Sequence, residues 1–422
     1  MSNPAAFVHI DLAGQARLVG RLWIRTARGK ESASFEFDPS WIADPVHYAL
    51  GPALPPTEGS FHSGDGRAMF GALGDSAPDR WGRKLITRNE AHRARARGQT
   101  PRAPREIDFL LGVTDVMRQG ALRFTKVSDG PFIAEGGANQ VPPLINLGEL
   151  LDAARALEDD PDSAEADNAA RLLLAPGSSL GGARAKASVR DRDGALAIAK
   201  FPERKDALDA VRWEGVMLTL AERAGITVPK ARIEMVGDTP VLLVQRFDRE
   251  GNIRVPFLSA MSLLDAGDGE SRSYVEIVDA LRRVASRASE DGPQLWRRLA
   301  FNILASNFDD HLRNHAVIYD GMGWRLSPAY DLNPVPQSVK DRLLTTAINI
   351  DEDTTASIDL AIHASDEFLL SRDEAKVIAG EVAKSIAPWR DDAARVGIRA
   401  GEIERVESAF EHSDAELARR WA

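Results

Sequence analysis

Residues 306–331 read SNFDDHLRNHAVIYDGMGWRLSPAYD, and this stretch restricts what the chain can be more than any other. Two carboxylates, Asp309 and Asp310, stand beside His311; Asn314 follows five residues after the first of them, and Asp331 comes after Tyr330. Residues 315–319 and 324–327 alternate around Asp320-Gly321, the pattern of a tight hairpin. Oxygen donors therefore bracket both ends of a short apolar hairpin, and the rest of the chain must supply a fold that uses them.

With 422 residues the chain exceeds one ordinary core, so two or three domains are expected. Its 44% hydrophobic and 27% charged residues are those of a globular protein. A net charge of −10 argues against a surface built wholly for nucleic acid. The absence of cysteine excludes disulfides, thiolate catalysis and cysteine zinc sites. The opening MSNPAAFVHIDLAGQ has no basic segment followed by an apolar one, and no uninterrupted apolar run reaches about 18 residues. A soluble, cytoplasmic protein that makes no membrane contact is expected.

Along the chain, residues 7–12, 15–26 and 32–37 alternate apolar with polar positions between glycine turns, which predicts antiparallel strands. From Gly66 the pattern turns helical and then dissolves into Arg, Ala and Gly. Between Phe61 and Arg105 ten Arg or Lys face four Asp or Glu, the basic region of an acidic chain. Such a run is ordinarily a solvated face; its sharper reading is a docking surface for an acidic partner or a nucleic acid backbone. Residues 127–143 mark a boundary. Helices are expected over 147–158, 164–174 and 206–224, the last closed by Gly225. A hairpin is expected over 187–201 around Asp193-Gly194, and strands over 230–236 and 240–247. From Ser259 onward the chain reads as mostly helical, interrupted by the stretch 306–331.

Four features then fall in order. Residues 177–186, GSSLGGARAK, form a glycine-rich loop with a lysine; glycine lets backbone N–H groups approach a phosphate, although the spacing is neither a P-loop nor GxGxxG. Lys200 ends the apolar strand AIAK, as the strand lysine of a protein kinase does, and Glu214 lies in the following helix, where a kinase holds the carboxylate that orients this lysine. Asp309 and Asn314 repeat the D-x-x-x-x-N offset of the kinase catalytic loop, and the hairpin delivers Asp331 where a second metal-binding aspartate belongs, with Leu332 and Asn333 in place of Phe and Gly. His311 and His315, four apart, could share a zinc ion, but HExxH needs Glu at 312, and the residue is Leu312.

At SSLGGARAK, AIAKFP, LLVQRFDR, NFDDHLRNH and SPAYDLNP, and at MFGALGDSAPDRWGR nearer the N-terminus, the chain resembles the HipA family of serine/threonine kinase toxins from bacterial toxin–antitoxin modules. The resemblance covers nearly the whole chain. It implies an α+β, protein-kinase-like two-lobed fold: a β-rich N-terminal subdomain over 1–135, a kinase N-lobe with glycine loop and hinge over 136–255, and a mostly helical C-lobe over 256–422. It implies Asp309 as the catalytic aspartate, and Asn314 and Asp331 as Mg²⁺ ligands. Lys200 holds phosphates, oriented by Glu214, under the loop Gly181, Gly182, Ala183, Arg184, Ala185 and Lys186. Gln245, Arg246 and Phe247 form the adenine hinge, with Asp248 near the ribose. His311, Leu312, Arg313, Asn314, Tyr330 and Asp331 line the ATP site. Ser179 matches the serine that family members autophosphorylate to eject the loop and switch themselves off, with Ser178 as the competing assignment. Arg184 and Ala185 stand where the best-known members have a polar and an acidic residue, so phosphate contacts there differ.

The resemblance further implies ATP and Mg²⁺ as cofactors, a protein substrate such as an aminoacyl-tRNA synthetase, and a small helix-turn-helix antitoxin through which alone DNA is met. Two other functions stay open: a lipid or small-molecule kinase, since these share the D-x-x-x-x-N arrangement, and a non-catalytic ATP-binding co-regulator acting with a DNA-binding antitoxin. Intact Lys200, Asp309, Asn314 and Asp331 favour the enzyme over the co-regulator.

Overall fold

The computed structural model describes residues 3–64, 66–133, 141–160, 163–174, 182, 184–351 and 353–422. The chain divides into two compact units: unit 1 comprises Met1–Arg204 and Leu243–Leu258, unit 2 Lys205–Leu242 and Ser259–Ala422.

Unit 1 opens with a meander of β1 (Ala6–Leu12), β2 (Gln15–Ala27) and β3 (Lys30–Phe37). Both connections are two residues long, Ala13-Gly14 and Arg28-Gly29, with positive φ at all four positions, the mirror-image turn that matches strand twist. The short α1 (Pro39–Ile42) buries Trp41 behind the cap Asp38. After β4 (Ser60–His62) and α2 (Gly71–Gly74), the basic region becomes α3 (Arg80–Ala96), whose N-cap Asp79 accepts from Gly82 N at 2.7 Å, and then α4 (Glu106–Gly112). β5 (Leu122–Thr125) completes a five-stranded sheet of order β4-β3-β2-β1-β5. Below it lies Arg118, wholly buried: its guanidinium donates to the carbonyls of Ser76, Leu110 and Val113 and sits 4.5 Å from the Phe124 ring centre. One cation thus gathers a loop carbonyl at Ser76 and two at the C-terminal end of α4, Leu110 and Val113, where helix carbonyls run out of intrahelical donors.

Next come α5 (Leu147–Asp159) and α6 (Ala164–Leu174), an antiparallel pair that buries leucine and alanine stripes, with Arg88 of α3 bound to Asp167 of α6 at 2.8 Å. The hairpin of β6 (Lys186–Arg190) and β7 (Leu196–Lys200) turns at Gly194 and is carried on by Arg246 N donating to Leu196 O.

Unit 2 begins with α7 (Ala210–Arg223), β8 (Ala231–Val236) and β9 (Thr239–Gln245), whose last residues already belong to unit 1 together with β10 (Arg249–Glu250) and β11 (Ile253–Arg254). The helix starts at Ala210 and not at Asp206, as its pattern alone predicts, because the Asp209 side chain caps it by accepting from Arg212 N at 3.0 Å. After β12 (Phe257–Ser259) the chain is largely helical: α8 (Ala260–Leu263), α9 (Tyr274–Val284) and α10 (Ala288–Leu304), then the hairpin β13 (Ala316–Tyr319) and β14 (Trp324–Leu326), then α11 (Ile358–His363), α12 (Arg372–Ile386), α13 (Trp389–Arg395), α14 (Ala400–Val406) and α15 (Ser413–Arg419). Among the described residues, 327–357 contain neither helix nor strand, a departure from the expected helical run; over its first ten residues Pro328, Pro334 and Pro336 remove donors that either would need.

The centre of unit 2 is α10, with Leu295, Trp296, Leu299 and Ile303 wholly buried. A second core joins α7 to the C-terminal helices: Trp389 stacks on Phe410 at 4.5 Å, Trp213 lies 6.2 Å from the same ring, and Trp213 Nε1 donates to Glu402 at 2.9 Å. Trp389→Ala empties this aromatic stack and is expected to cost about 3–5 kcal/mol in urea unfolding of the full chain; a loss under about 1 kcal/mol would contradict its central place.

Candidate functional site

The site of unit 2 is assembled where α10 ends. Ser306 takes the left-handed conformation, φ 50°, which turns the chain out of the helix, and Asn307 N reaches back to Asn302 O at 2.9 Å. A continuous polar chain then fixes the loop after the helix. Asn307 Nδ2 donates to Asn302 Oδ1 at 2.9 Å, Asn302 Nδ2 to the Tyr274 hydroxyl at 2.9 Å, and Tyr274 donates its proton to Asp310 Oδ2 at 2.8 Å. The other oxygen of Asp310 accepts from Thr345 N at 2.6 Å, and its carbonyl accepts from Thr346 Oγ1 at 2.6 Å and from His315 Nε2 at 3.2 Å. Asp310 is buried, and so are Asn302, Asn307 and Tyr274.

With Asp310 anchored inward, its neighbour Asp309 is exposed. Asn314 Nδ2 donates to Asp309 O at 2.7 Å and Asn314 N to His311 O at 2.7 Å, so the five-residue offset closes as one turn. The Oδ1 of Asn314 accepts from no described residue, leaving it a lone-pair donor for a cation. His311 lies beside the Asp309 carboxylate at 3.9 Å. Beyond the hairpin, the Tyr330 hydroxyl donates to Arg313 O at 2.7 Å, Asn333 N to Asn307 Oδ1 at 3.1 Å, and Val335 N to Ser306 O at 2.9 Å, which returns 330–335 to the same loop. Between them Asp331 holds φ 54°, the left-handed conformation that Asp tolerates better than most residues with a Cβ. A cavity of about 10 Å³, lined by Ile226, Phe301 and Leu332 as well as Arg298, Asp310 and Asn314, has room for one water.

Burial pushes the Asp310 carboxyl up to about 6, against the hydrogen bonds from Thr345 and Tyr274, and burial with the nearby Arg298 charge pushes His315 down to about 3. His315 is therefore neutral, with its proton on the Nε2 that serves Asp310. Carboxylate and amide oxygens are hard donors of the kind Mg²⁺ takes, and Asn314 and Asp331 fit that ion by chemistry.

Glu214, also in unit 2, is buried within α7. Unit 1 carries the rest of the expected residues. Lys186 and Lys200 are cross-strand partners in the β6–β7 hairpin; Lys186 is buried and paired with Asp79 at 2.7 Å, and Lys200 is half-buried. Gly182 has φ 104°, Arg184 is exposed and Ala185 buried. Ser178, Ser179, Gly181 and Ala183 lie outside the described residues. After Gln245, Arg246 is wholly buried: it grips Asp248 at 2.8 and 2.6 Å and donates to Met117 O and Arg118 O. Phe247 packs at 6.3 Å from Phe257. Asp248 also accepts from Gly120 N and Arg249, both at 2.8 Å. Burial acts to raise its carboxyl, but the Arg246 and Arg249 charges outweigh it and hold Asp248 well below the usual range.

The structure thus brings Asp309, His311, Leu312, Arg313, Asn314, Tyr330 and Asp331 to one loop cluster in unit 2, and the lysines and the 245–248 segment to unit 1. Sequence reasoning missed Asp310, Tyr274, Asn302 and Asn307; the doubled aspartate and the asparagine in NFDDH were the available signal.

Two buried groups of opposite linkage sign titrate in this cluster. Asp310 binds its proton more tightly folded than unfolded, so it adds stability as pH falls through about 6 toward 4; His315 binds its proton less tightly folded, so stability drains as pH falls from about 6.5 toward 3. Between about pH 4 and 6 the two offset one another. Asp310→Asn leaves only the histidine term, and the urea stability of that variant is expected to fall more steeply with acid than wild type, by up to ~1.4 kcal/mol per pH unit. Parallel pH profiles would refute the paired burial.

Three comparisons bear on identity. The HipA-like C-terminal domain family matches residues 178–389 and the HipA N-terminal domain family matches residues 11–101. Two Sinorhizobium fredii proteins, each called "Putative kinase", are similar: Y4mE is 26% identical over 71% of this chain and 71% of its own, and Y4dM 29% identical over 41% of this chain and 42% of its own. HipA of the Shewanella oneidensis MR-1 toxin–antitoxin system, solved with HipB and its operator DNA, superposes with a TM-score of 0.63 at 16% identity over 99% of this chain and 96% of that one, which establishes the fold. Among the described residues no helix is long and apolar enough to cross a membrane. With a β-rich N-terminal part, a mostly helical C-terminal lobe and both family domains in order along it, the chain belongs to the HipA family and has its kinase-like fold.

Proposed function

We propose that this chain is an ATP- and Mg²⁺-dependent serine/threonine protein kinase. The observation that carries the reading is the loop cluster of unit 2: an exposed Asp309 carboxylate on a turn closed by Asn314, with Asp331 held in left-handed backbone beside it. Two relatives named as kinases support it.

In this mechanism Asp309 accepts the proton of the acceptor hydroxyl as the new O–P bond forms to the γ-phosphorus and the bond to the β,γ-bridging oxygen breaks, releasing ADP. Asn314 and Asp331 would hold Mg²⁺, which would neutralise negative charge on the phosphate oxygens. Lys200, oriented by Glu214, meets the phosphates under the loop from Gly181 to Lys186, while Gln245, Arg246 and Phe247 offer the adenine hinge. Asp248 enters as a positioning residue, because its oxygens are already taken by Arg246, Arg249 and Gly120. Ser179 is the autophosphorylated serine. The domain limits 1–135, 136–255 and 256–422 belong to the same proposal, as do a translation-related substrate such as an aminoacyl-tRNA synthetase, a cytoplasmic setting, and a helix-turn-helix antitoxin through which DNA is met. The Shewanella protein, solved with HipB and operator DNA, supports that last partner.

Intact-mass spectrometry of the full chain before and after Mg²⁺-ATP tests the reading. A gain of phosphate that maps to Ser179 is expected, and Asp309→Ala should slow it by at least ~100-fold with unchanged circular dichroism. Phosphate gained at the wild-type rate by Asp309→Ala would overturn the assignment of Asp309; phosphate on Ser178 would move the modified residue by one.

A further inference from the structure

Apart from Asp79 and Trp81, which hold Lys186, the basic stretch between Phe61 and Arg105 has no part in the proposed phosphotransfer, yet its fold is specific. One side of α3 and α4 opens within unit 1 into a groove of about 960 Å³. Half-buried Ile86, Ile107 and Leu111 form an apolar floor, and exposed Arg93, Lys126 and Arg171 stand at the rim. The acids nearby are mostly occupied: Asp108 binds Arg102 at 2.6 Å, and Asp167 is shared between Arg88 and His92 at 2.8 and 3.2 Å. Glu90 remains. The Arg93 guanidinium has neither ion pair nor hydrogen bond among the described residues, so the rim keeps an excess of positive charge on an acidic chain.

The wall of this groove contains Asn89 of α3, more than nine-tenths buried, at 7% exposure, and its side-chain amide has no hydrogen-bond partner among the described residues. Its amide atoms reach the groove surface, where a ligand can meet them. Asn89 offers two donors and an acceptor, the complement of a peptide group, which presents both a carbonyl and an N–H; a phosphate backbone only accepts.

We propose that the groove docks an acidic peptide segment of a partner protein: apolar side chains on the Ile86 and Leu111 floor, carboxylates against Arg93, Lys126 and Arg171, and a peptide group on Asn89. The surface is independent of the kinase reading.

Fluorescence anisotropy of the full chain with a labelled peptide of alternating Glu and Leu tests it, with the Lys and Leu counterpart and a labelled single-stranded oligonucleotide as the other probes. Saturable binding of the acidic peptide is expected, weakened about tenfold or more by the exposed pair Arg93→Glu and Arg171→Glu, by Asn89→Leu, and by added salt. The exposed pair leaves the core untouched, so its circular dichroism and melting should match wild type even if Asn89→Leu perturbs the helix. No saturable binding, binding unchanged in the charge-reversed pair, or equal binding of the basic peptide would overturn the proposal. An oligonucleotide bound in preference to the peptide and lost in the same pair would overturn it in favour of nucleic acid.

Discussion

The loop cluster of unit 2 that carries Asp309, Asn314 and Asp331 depends on one buried carboxylate. Asp310 sits away from water and receives hydrogen bonds from Tyr274 and Thr345, while its carbonyl takes those of Thr346 and His315. A buried carboxylate is costly unless so satisfied, and removing any partner leaves the others exposed to that cost. The network therefore admits one arrangement of the loop. Because adjacent side chains on an extended turn point apart, anchoring Asp310 inward commits Asp309 outward, and the same loop receives Asn314 through its own backbone and Asp331 through Asn333 and Val335. The exposed acid is positioned by the hidden one.

Unit 1 uses arginine for the same purpose. Arg118 and Arg246 are wholly buried, and between them they collect the carbonyls of Ser76, Leu110, Val113, Met117 and Arg118 and the carboxylate of Asp248. Burial pulls Arg118 down to about 9, still charged at neutral pH. A planar cation with five donors organises irregular backbone in a way no apolar residue can, which is how the segment following β9 is held without regular structure of its own.

Much of this was legible in the sequence. The Gly14 and Gly29 turns, the strands around them, the β6–β7 hairpin at Gly194 and the helices 147–159 and 164–174 follow from local pattern and turn chemistry, and the structure has them within a few residues. The pairing of Asp309 with Asn314 was readable because a turn of that length is local. Which of Asp309 and Asp310 would be buried was not readable from composition or period, because Tyr274 and Thr345 decide it from more than thirty positions away. Likewise α7 begins where Asp209 can cap it and not where apolar periodicity starts, and the first part of the irregular run after Ser327 reflects prolines whose effect outweighs the helical tendency around them. Local rules set elements; long-range polar contacts set the site.

The most direct test of this account is a crystal structure of the full chain with Mg²⁺ and a non-hydrolysable ATP analogue. The account predicts metal bound to Asn314 Oδ1 and the Asp331 carboxylate at about 2.0–2.1 Å, with Asp310 still buried on Tyr274 and Thr345. Metal held by Asp310, or an Asp310 side chain released to solvent while Asp309 turns inward, would contradict it.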